Sequence, residues 1–108
     1  MAKTLTPVTP GDILLEEFLQ PMGISRNKLA KDIHVPANRV SQIIRGKREI
    51  TADTALRLGK YFGIEPEFWM NLQMRYTMKI AREKIGGKID REVKKHFSQG
   101  KPHEFMKA

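Results

Sequence analysis

Side chains with the chemistry to read DNA bases are concentrated between positions 36 and 45, in the stretch PANRVSQIIR. Asparagine and glutamine pair bidentately with adenine, arginine pairs in the same way with guanine, and a small apolar side chain contacts the methyl group of thymine. The stretch supplies all of these types close together. The predicted base-reading residues are Ala37, Asn38, Arg39, Ser41 and Gln42.

Positive charge and hydrogen-bond donors flank this stretch on both sides, where they suit the phosphates of a DNA strand. Arg45, Lys47 and Arg48 follow it directly. Ser25 and Arg26 open the preceding helix, and the free N–H groups and dipole at a helix N-terminus favour an anion. These five residues are the predicted phosphate contacts. The alternative is a helical hairpin with a solvated basic face.

Two short helices joined by a tight turn are predicted to position both sets. Ser25 is a favourable N-cap for the first helix, because its hydroxyl accepts from an otherwise unpaired backbone N–H. Pro36 is expected as the first residue of the second helix and Gly46 as its stop. The apolar stripes at helical spacing are Leu29, Ala30 and Ile33, then Val40, Ile43 and Ile44. Such a pair is the helix-turn-helix of DNA-binding proteins.

Three further elements around this pair are also predicted to be helical, which makes the chain all-α. One helix runs from Thr9 to Gly23, another follows the cap Thr51, and a long one starts at Pro66. Gly86-Gly87 is expected to end the long helix, and residues 90–97 are expected to form a short separate one. We therefore predict a helix-turn-helix domain of about five helices over residues 1–85. A basic, partly disordered C-terminal tail is predicted over residues 86–108.

The long helix carries more apolar surface than a small helical core needs. Trp69, Tyr76 and Ile80 lie along it and are predicted to form a dimer seam or a partner-binding surface. Completion of the core is the alternative for Trp69. A homodimer is also expected because one recognition helix reads only a short half-site, and paired half-sites lie about one helical turn apart.

Composition narrows the class of partner. The chain has 20 Lys and Arg residues against 12 Asp and Glu residues, a formal net charge of +8 and a pI of about 10.0. This balance favours a polyanionic partner: nucleic acid first, an anionic membrane second and an acidic protein third. The absence of cysteine excludes disulfides and thiolate metal sites.

Other features argue against an enzyme and against a membrane protein. The histidines are scattered, and the sequence contains neither a phosphate-binding glycine loop nor a nucleophile elbow. We therefore expect no enzymatic activity, no metal and no cofactor. No apolar stretch reaches the roughly 18 residues of a membrane span, and the N-terminus lacks the apolar region of a secretion signal. A cytoplasmic location is expected.

Three segments together resemble the HigA/VapI antitoxins, which belong to the Xre, or λ-repressor-like, helix-turn-helix family. The segments are TPGDILLEEFLQPMGIS, LAKDIHVPANRVSQIIRGKREITADTALRLGKYFG and PEFWMNLQ. The resemblance covers roughly Thr9 to Ala81. This sequence departs from the family pattern at His34, where a turn glycine is usual, and at Glu65, where a Ser or Thr cap is common.

The resemblance implies a λ-repressor-like fold with a C-terminal helical extension and a dimer that binds operator DNA and represses its own operon. It also implies a second partner, a small basic toxin of the RelE-like fold that cleaves mRNA on the ribosome. Family members without a toxin act as stand-alone transcriptional regulators of the Xre type. The sequence leaves both possibilities open.

Overall fold

The computed structural model describes residues 8–96, and this part of the chain is built from five helices without a strand. Helix α1 spans residues 10–22, as an α-helical turn Pro10–Ile13, a π-helical stretch Leu14–Leu19 and a closing turn Gln20–Met22. The other helices are α2 Arg26–Ile33, α3 Ala37–Ile44, α4 Ala52–Phe62 and α5 Pro66–Glu92. The predicted all-α fold is confirmed.

Side-chain caps set the starts of the first two helices. Thr9 and Asp12 form a capping box: the Thr9 hydroxyl accepts from the Asp12 N–H at 3.0 Å, and the Thr9 N–H donates to the Asp12 carboxylate at 3.1 Å. The Ser25 hydroxyl accepts from the Lys28 N–H at 3.0 Å. Both caps confirm the predictions. Thr51 occupies the N-cap position of α4, but its hydroxyl makes no capping hydrogen bond.

The turn between α2 and α3 differs from the prediction by one residue. His34 ends α2 with φ of 65°, in the left-handed region that glycine usually occupies. Pro36 is the N-cap of α3, with extended backbone, and Ala37 is the first helical residue. The prediction that Pro36 begins the helix is therefore wrong by one position. Its carbonyl accepts from the Arg39 N–H at 3.0 Å, so Pro36 still opens the first turn.

The core is organised around Trp69, whose side chain is 0% exposed. Its ring centroid lies 4.9 Å from that of Phe18 and 5.0 Å from that of Phe68, so α1 and α5 meet through aromatic rings. The prediction that Trp69 belongs to an interface is wrong, because the ring has no surface left to offer a partner. Further buried residues around it are Leu14, Leu19, Leu29, Ile33, Val40, Ile43, Ile50 and Leu58.

A buried amide joins α5 to the connection between α3 and α4. The Ile50 N–H donates to Gln73 Oε1 at 2.8 Å, and Gln73 Nε2 donates to the Thr77 hydroxyl at 3.0 Å. A buried amide is costly unless its hydrogen bonds are made, and here both ends are satisfied. Gln73 therefore fixes the chain that leaves α3.

Helix α5 continues through Gly86-Gly87, where the sequence predicts a break. It spans 27 residues, about 40 Å at ~1.5 Å per residue, and gives way to extended backbone at Val93. Neither glycine has a positive φ, and a helical glycine costs only about 1 kcal/mol relative to alanine. The predicted stop and the predicted separate helix are therefore wrong. The end of that helix, and the rest of the predicted disordered tail, lie outside the described residues.

Gly11 allows α1 to approach the backbone of α3. A Cβ atom at this position would lie 2.1 Å from the Ile43 carbonyl oxygen and 2.7 Å from the Ile44 Cα. These atoms belong to the backbone, so no side-chain rotation relieves the overlap. The packing of α3 against α1 therefore requires a residue without a side chain at position 11.

We predict that Gly11→Ala lowers the free energy of unfolding by about 1–3 kcal/mol, because the new methyl group overpacks the contact between α1 and α3. Gly86→Ala is the matched control, since its added Cβ meets nothing nearer than 4.0 Å. That control should be stabilised by about 0.5–1 kcal/mol. Urea unfolding followed by circular dichroism measures both. A Gly11→Ala protein as stable as the wild type would contradict this packing.

Candidate nucleic-acid interface

Helix α3 buries one face in the core and leaves the other accessible to solvent. Val40 and Ile43 are each 2% exposed, and Ile44 is also buried. The predicted base-reading residues lie away from this apolar stripe, but they are not equally exposed. Ala37 and Asn38 are exposed at the first turn, whereas Arg39, Ser41 and Gln42 are half-buried.

The predicted phosphate contacts lie at two places next to α3. Ser25 caps α2, where Arg26 is the first helical residue. Arg45 caps the end of α3, and Lys47 follows it after Gly46, whose φ of 75° turns the chain. Ser25, Arg45 and Lys47 are exposed, while Arg26 is half-buried. Donors and positive charge therefore lie at the start of α2 and just beyond the end of α3.

One hydrogen bond joins the two predicted sets. Arg48 Nη1 donates to Gln42 Oε1 at 3.3 Å, in an exposed position. An arginine has five N–H donors, so this bond leaves others for a phosphate. The amide NH₂ of Gln42 also stays available as a donor. The sequence predicted a DNA contact for each residue but did not predict that the two contact each other.

Arg39 is the base-reading candidate whose surroundings differ most from the prediction. Its side chain is 23% exposed, and Arg39 Nη1 lies 3.7 Å from Asp53 Oδ1. Its Nε is buried and has no hydrogen-bond partner among the described residues. The Arg39 side chain therefore lies toward the start of α4 rather than extending into solvent.

Asp53 and Arg57 form a link from Arg39 to the end of α2. Arg57 Nε donates to Asp53 Oδ1, and Arg57 Nη1 donates to the Ile33 carbonyl oxygen at 2.9 Å. The hydrogen bond from Arg57, and then the nearby positive charge of Arg57 and Arg39, lower the pKa of the Asp53 carboxyl below its usual value. Sequence reasoning did not predict this link. The available signal was the opposite charges of Asp53 and Arg57 at i, i+4 spacing on one helix.

A second polar cluster ties α2 to α4. The Tyr61 hydroxyl donates to Asp32 Oδ2 at 2.7 Å, and Lys28 Nζ donates to the same oxygen at 2.9 Å. These hydrogen bonds, that of Lys28 first, lower the pKa of the Asp32 carboxyl. The same contacts with Asp32 raise the pKa of the Lys28 ammonium and of the Tyr61 hydroxyl. The cluster orients α2 without entering the predicted DNA-facing surface.

Two of the three predicted interface residues share a surface groove. Tyr76 and Ile80 are half-buried and line a groove of about 450 Å³, together with Thr9 and Lys47. The groove lies between the start of α1, the chain after α3 and the middle of α5. Large apolar side chains are exposed along the rest of α5, at Met70, Met74, Met78 and Ile89, and Val93 is exposed just beyond its end. Ile85 is also exposed and lines the groove.

Residues 8–96 offer neither a metal site nor a membrane span. No group of three or more His, Asp or Glu side chains in this range is arranged to hold a metal ion. No helix in the same range is long and apolar enough to cross a membrane.

The fold and the sequence match known DNA-binding proteins. Residues 15–69, about half of the chain, match the family described as helix-turn-helix. The chain is 50% identical over 76 residues to virulence-associated protein I of Dichelobacter nodosus, which covers 70% of each chain. This is a family of regulators and antitoxins rather than of enzymes, which confirms the prediction that the chain is not an enzyme.

Two solved structures resemble this one closely. One is Pseudomonas aeruginosa antitoxin HigA with the higBA promoter, at 42% identity and a TM-score of 0.81, covering 84% of this chain and 99% of that chain. The other is an addiction module antidote protein of the HigA family from Coxiella burnetii, at 52% identity and a TM-score of 0.79, covering 83% and 98%. The chain therefore belongs to the Xre-type helix-turn-helix family, in the group that contains the HigA antitoxins and virulence-associated protein I.

Proposed function

We propose that this protein is an antitoxin that binds and represses its own operator and neutralises a toxin in the cytoplasm. The observation that supports DNA binding is the amphipathic character of α3. Its apolar stripe is buried, its polar side chains lie on the other face, and positive charge follows its C-terminal end. The similar Pseudomonas aeruginosa antitoxin HigA was solved with promoter DNA, which supports the same docking.

The exposure pattern supports entry of the N-terminal turn of α3 into the major groove. In helix-turn-helix proteins the first residues of the recognition helix contact base edges, while the preceding helix crosses the backbone. Ala37 and Asn38 are the exposed residues of that turn. Ser25 and Lys47 then lie where phosphates pass on either side. We assign base reading to α3 and phosphate binding to the two flanking segments.

We predict different effects on DNA binding for a base-reading residue, Asn38, and a phosphate-binding residue, Lys47. Asn38→Ala should weaken binding to the preferred site by about 1–3 kcal/mol and relax preference at one base pair. Lys47→Ala should weaken binding to all sequences alike and lower the salt slope by about 1. Both residues are exposed, so neither change should alter stability by more than about 0.5 kcal/mol. Fluorescence anisotropy over a range of salt concentrations measures both effects. Unchanged affinity and specificity for Asn38→Ala would remove it from the base-reading set.

We further propose that the protein is a homodimer and that α5 supplies the contact. Tyr76 and Ile80 line the groove beside the chain after α3, and apolar side chains continue along α5 past the end of the core. A second copy is the occupant that a two-fold operator needs, because each recognition helix reads one half-site.

Light scattering at micromolar concentration tests the dimer. The wild type should have twice the chain mass, and Ile80→Lys should shift it toward the monomer, because the ammonium group would be buried without a partner in the seam. Asn71→Lys places the same charge on an exposed position of α5 outside the groove and should leave the mass unchanged. A wild type that is monomeric both free and on DNA would contradict the proposal.

Toxin neutralisation rests on membership of the antitoxin group and on the exposed apolar side chains of α5. Toxins of the implied kind are themselves basic, and this chain carries a net charge of +8. Attraction between net charges therefore does not explain binding. Apolar anchors in a partner groove are expected to dominate the affinity. The second candidate function is a stand-alone repressor whose α5 serves only dimerisation.

Co-expression distinguishes the two functions. The adjacent gene should encode a small basic protein that arrests growth when expressed alone, and this chain should restore growth and co-purify with it. Asn38→Ala should neutralise as well as the wild type, because the change affects base reading and leaves the apolar surfaces intact. Toxicity that persists in the presence of this protein, or a harmless neighbour, would favour the stand-alone repressor.

A further inference from the structure

Asp53 lies outside the helix-turn-helix pair, yet it contacts the recognition helix through a charged side chain. It belongs to the first turn of α4, its side chain is 56% exposed, and its Oδ1 lies 3.7 Å from Arg39 Nη1. The contact is an ion pair rather than a hydrogen bond, because the distance exceeds hydrogen-bond range. Its effect is to keep the Arg39 guanidinium close to the start of α4.

The position of Asp53 is itself fixed. Arg57, one turn later on α4, donates to the same Asp53 oxygen and also to the carbonyl oxygen of Ile33 at the end of α2, at 2.9 Å. Asp53 is therefore attached to α4 by its backbone and to α2 through Arg57. The carboxylate next to Arg39 is a constrained group, not a freely rotating surface charge.

Arg39 is left with unused hydrogen-bonding capacity. Its guanidinium carries five N–H donors, and its Nε is buried without a hydrogen-bond partner among the described residues. The side chain is 23% exposed, so its terminal N–H groups can still reach an acceptor that DNA brings while Asp53 lies beside the guanidinium. A base edge or a bridging water at the DNA surface would supply it.

We propose that Asp53 is a positioning residue that sets the DNA sequence preference of this protein by orienting Arg39. The inference rests on the proposed operator binding. A restrained arginine loses less rotamer freedom when it reads a base, and its planar fork then favours one base geometry. The same carboxylate repels phosphates, so Asp53 reduces binding to any DNA while it increases discrimination between sequences.

The test uses the full chain and two duplexes. The first is the site that the wild type selects from a random duplex pool, and the second is a scrambled duplex of equal length and composition. Asp53→Asn should bind the scrambled duplex more tightly, because a negative charge is lost. The ratio of the two affinities should fall about 3- to 10-fold, in proportion to the ordering of one long side chain.

Two further variants separate orientation from charge. Glu49→Gln removes an equal charge from an exposed position in the connection after α3 and should change both affinities alike, leaving the ratio intact. In an Arg39→Ala background, Asp53→Asn should no longer change the ratio, because the residue through which it acts is absent. Thermal unfolding of each variant shows whether the fold is retained.

The outcomes are distinct. A ratio unchanged by Asp53→Asn, or one that falls equally with and without Arg39, would overturn the positioning role while operator binding stood. A wild type that selects no site from the pool would instead overturn the proposed DNA binding. Should Asp53→Asn unfold, Asp53→Ser removes the carboxylate and keeps a small polar residue in the first turn of α4. A ratio equal to that of the wild type in Asp53→Ser would likewise contradict orientation by Asp53.

Discussion

The arrangement of this protein depends on the burial of the apolar stripe of α3. Val40 and Ile43 are almost wholly buried, and the backbone at Ile43 comes so close to α1 that only a glycine fits at position 11. A helix fixed on one face by close packing cannot rotate about its axis, since interiors are packed as tightly as organic crystals. The polar face of α3 is held outward as a consequence.

The other helices restrain the same element from further sides. Gln73 of α5 binds the backbone of Ile50 and so fixes the chain that leaves α3. Asp53 and Arg57 of α4 connect Arg39 to the end of α2. Exposed ion pairs of this kind contribute little to stability, because solvent screens them. We propose that their importance lies in the orientation of Arg39.

Local signals in the sequence predicted local structure well. The caps Thr9 and Ser25 both follow from properties of one or a few neighbouring residues. The helix-turn-helix and the polar set on α3 were predictable because the apolar stripe of a helix also indicates which side remains outside. This is why the base-reading candidates were named from the sequence, although their role stays a prediction.

Features that depend on tertiary contacts were not predictable in the same way. Helical periodicity placed Trp69 on the apolar face of α5 but did not show whether the core or a partner covers the ring, which is buried in the core. The glycine pair in α5 suggested a break, whereas the cost of two helical glycines is small beside the cooperativity of a long helix. The contact between Arg39 and Asp53 joins residues of different helices, and no local pattern reports it.

The most direct measurement of the central claim, that α3 reads bases in the major groove, uses modified duplexes of the selected site. Replacing single purines by 7-deazapurines removes the N7 acceptor from the major groove, and replacing guanine by inosine removes the N2 amino group from the minor groove. The account predicts losses of about 1–3 kcal/mol at individual 7-deaza positions and little change with inosine. Sensitivity to inosine without any sensitivity to 7-deazapurines would contradict it.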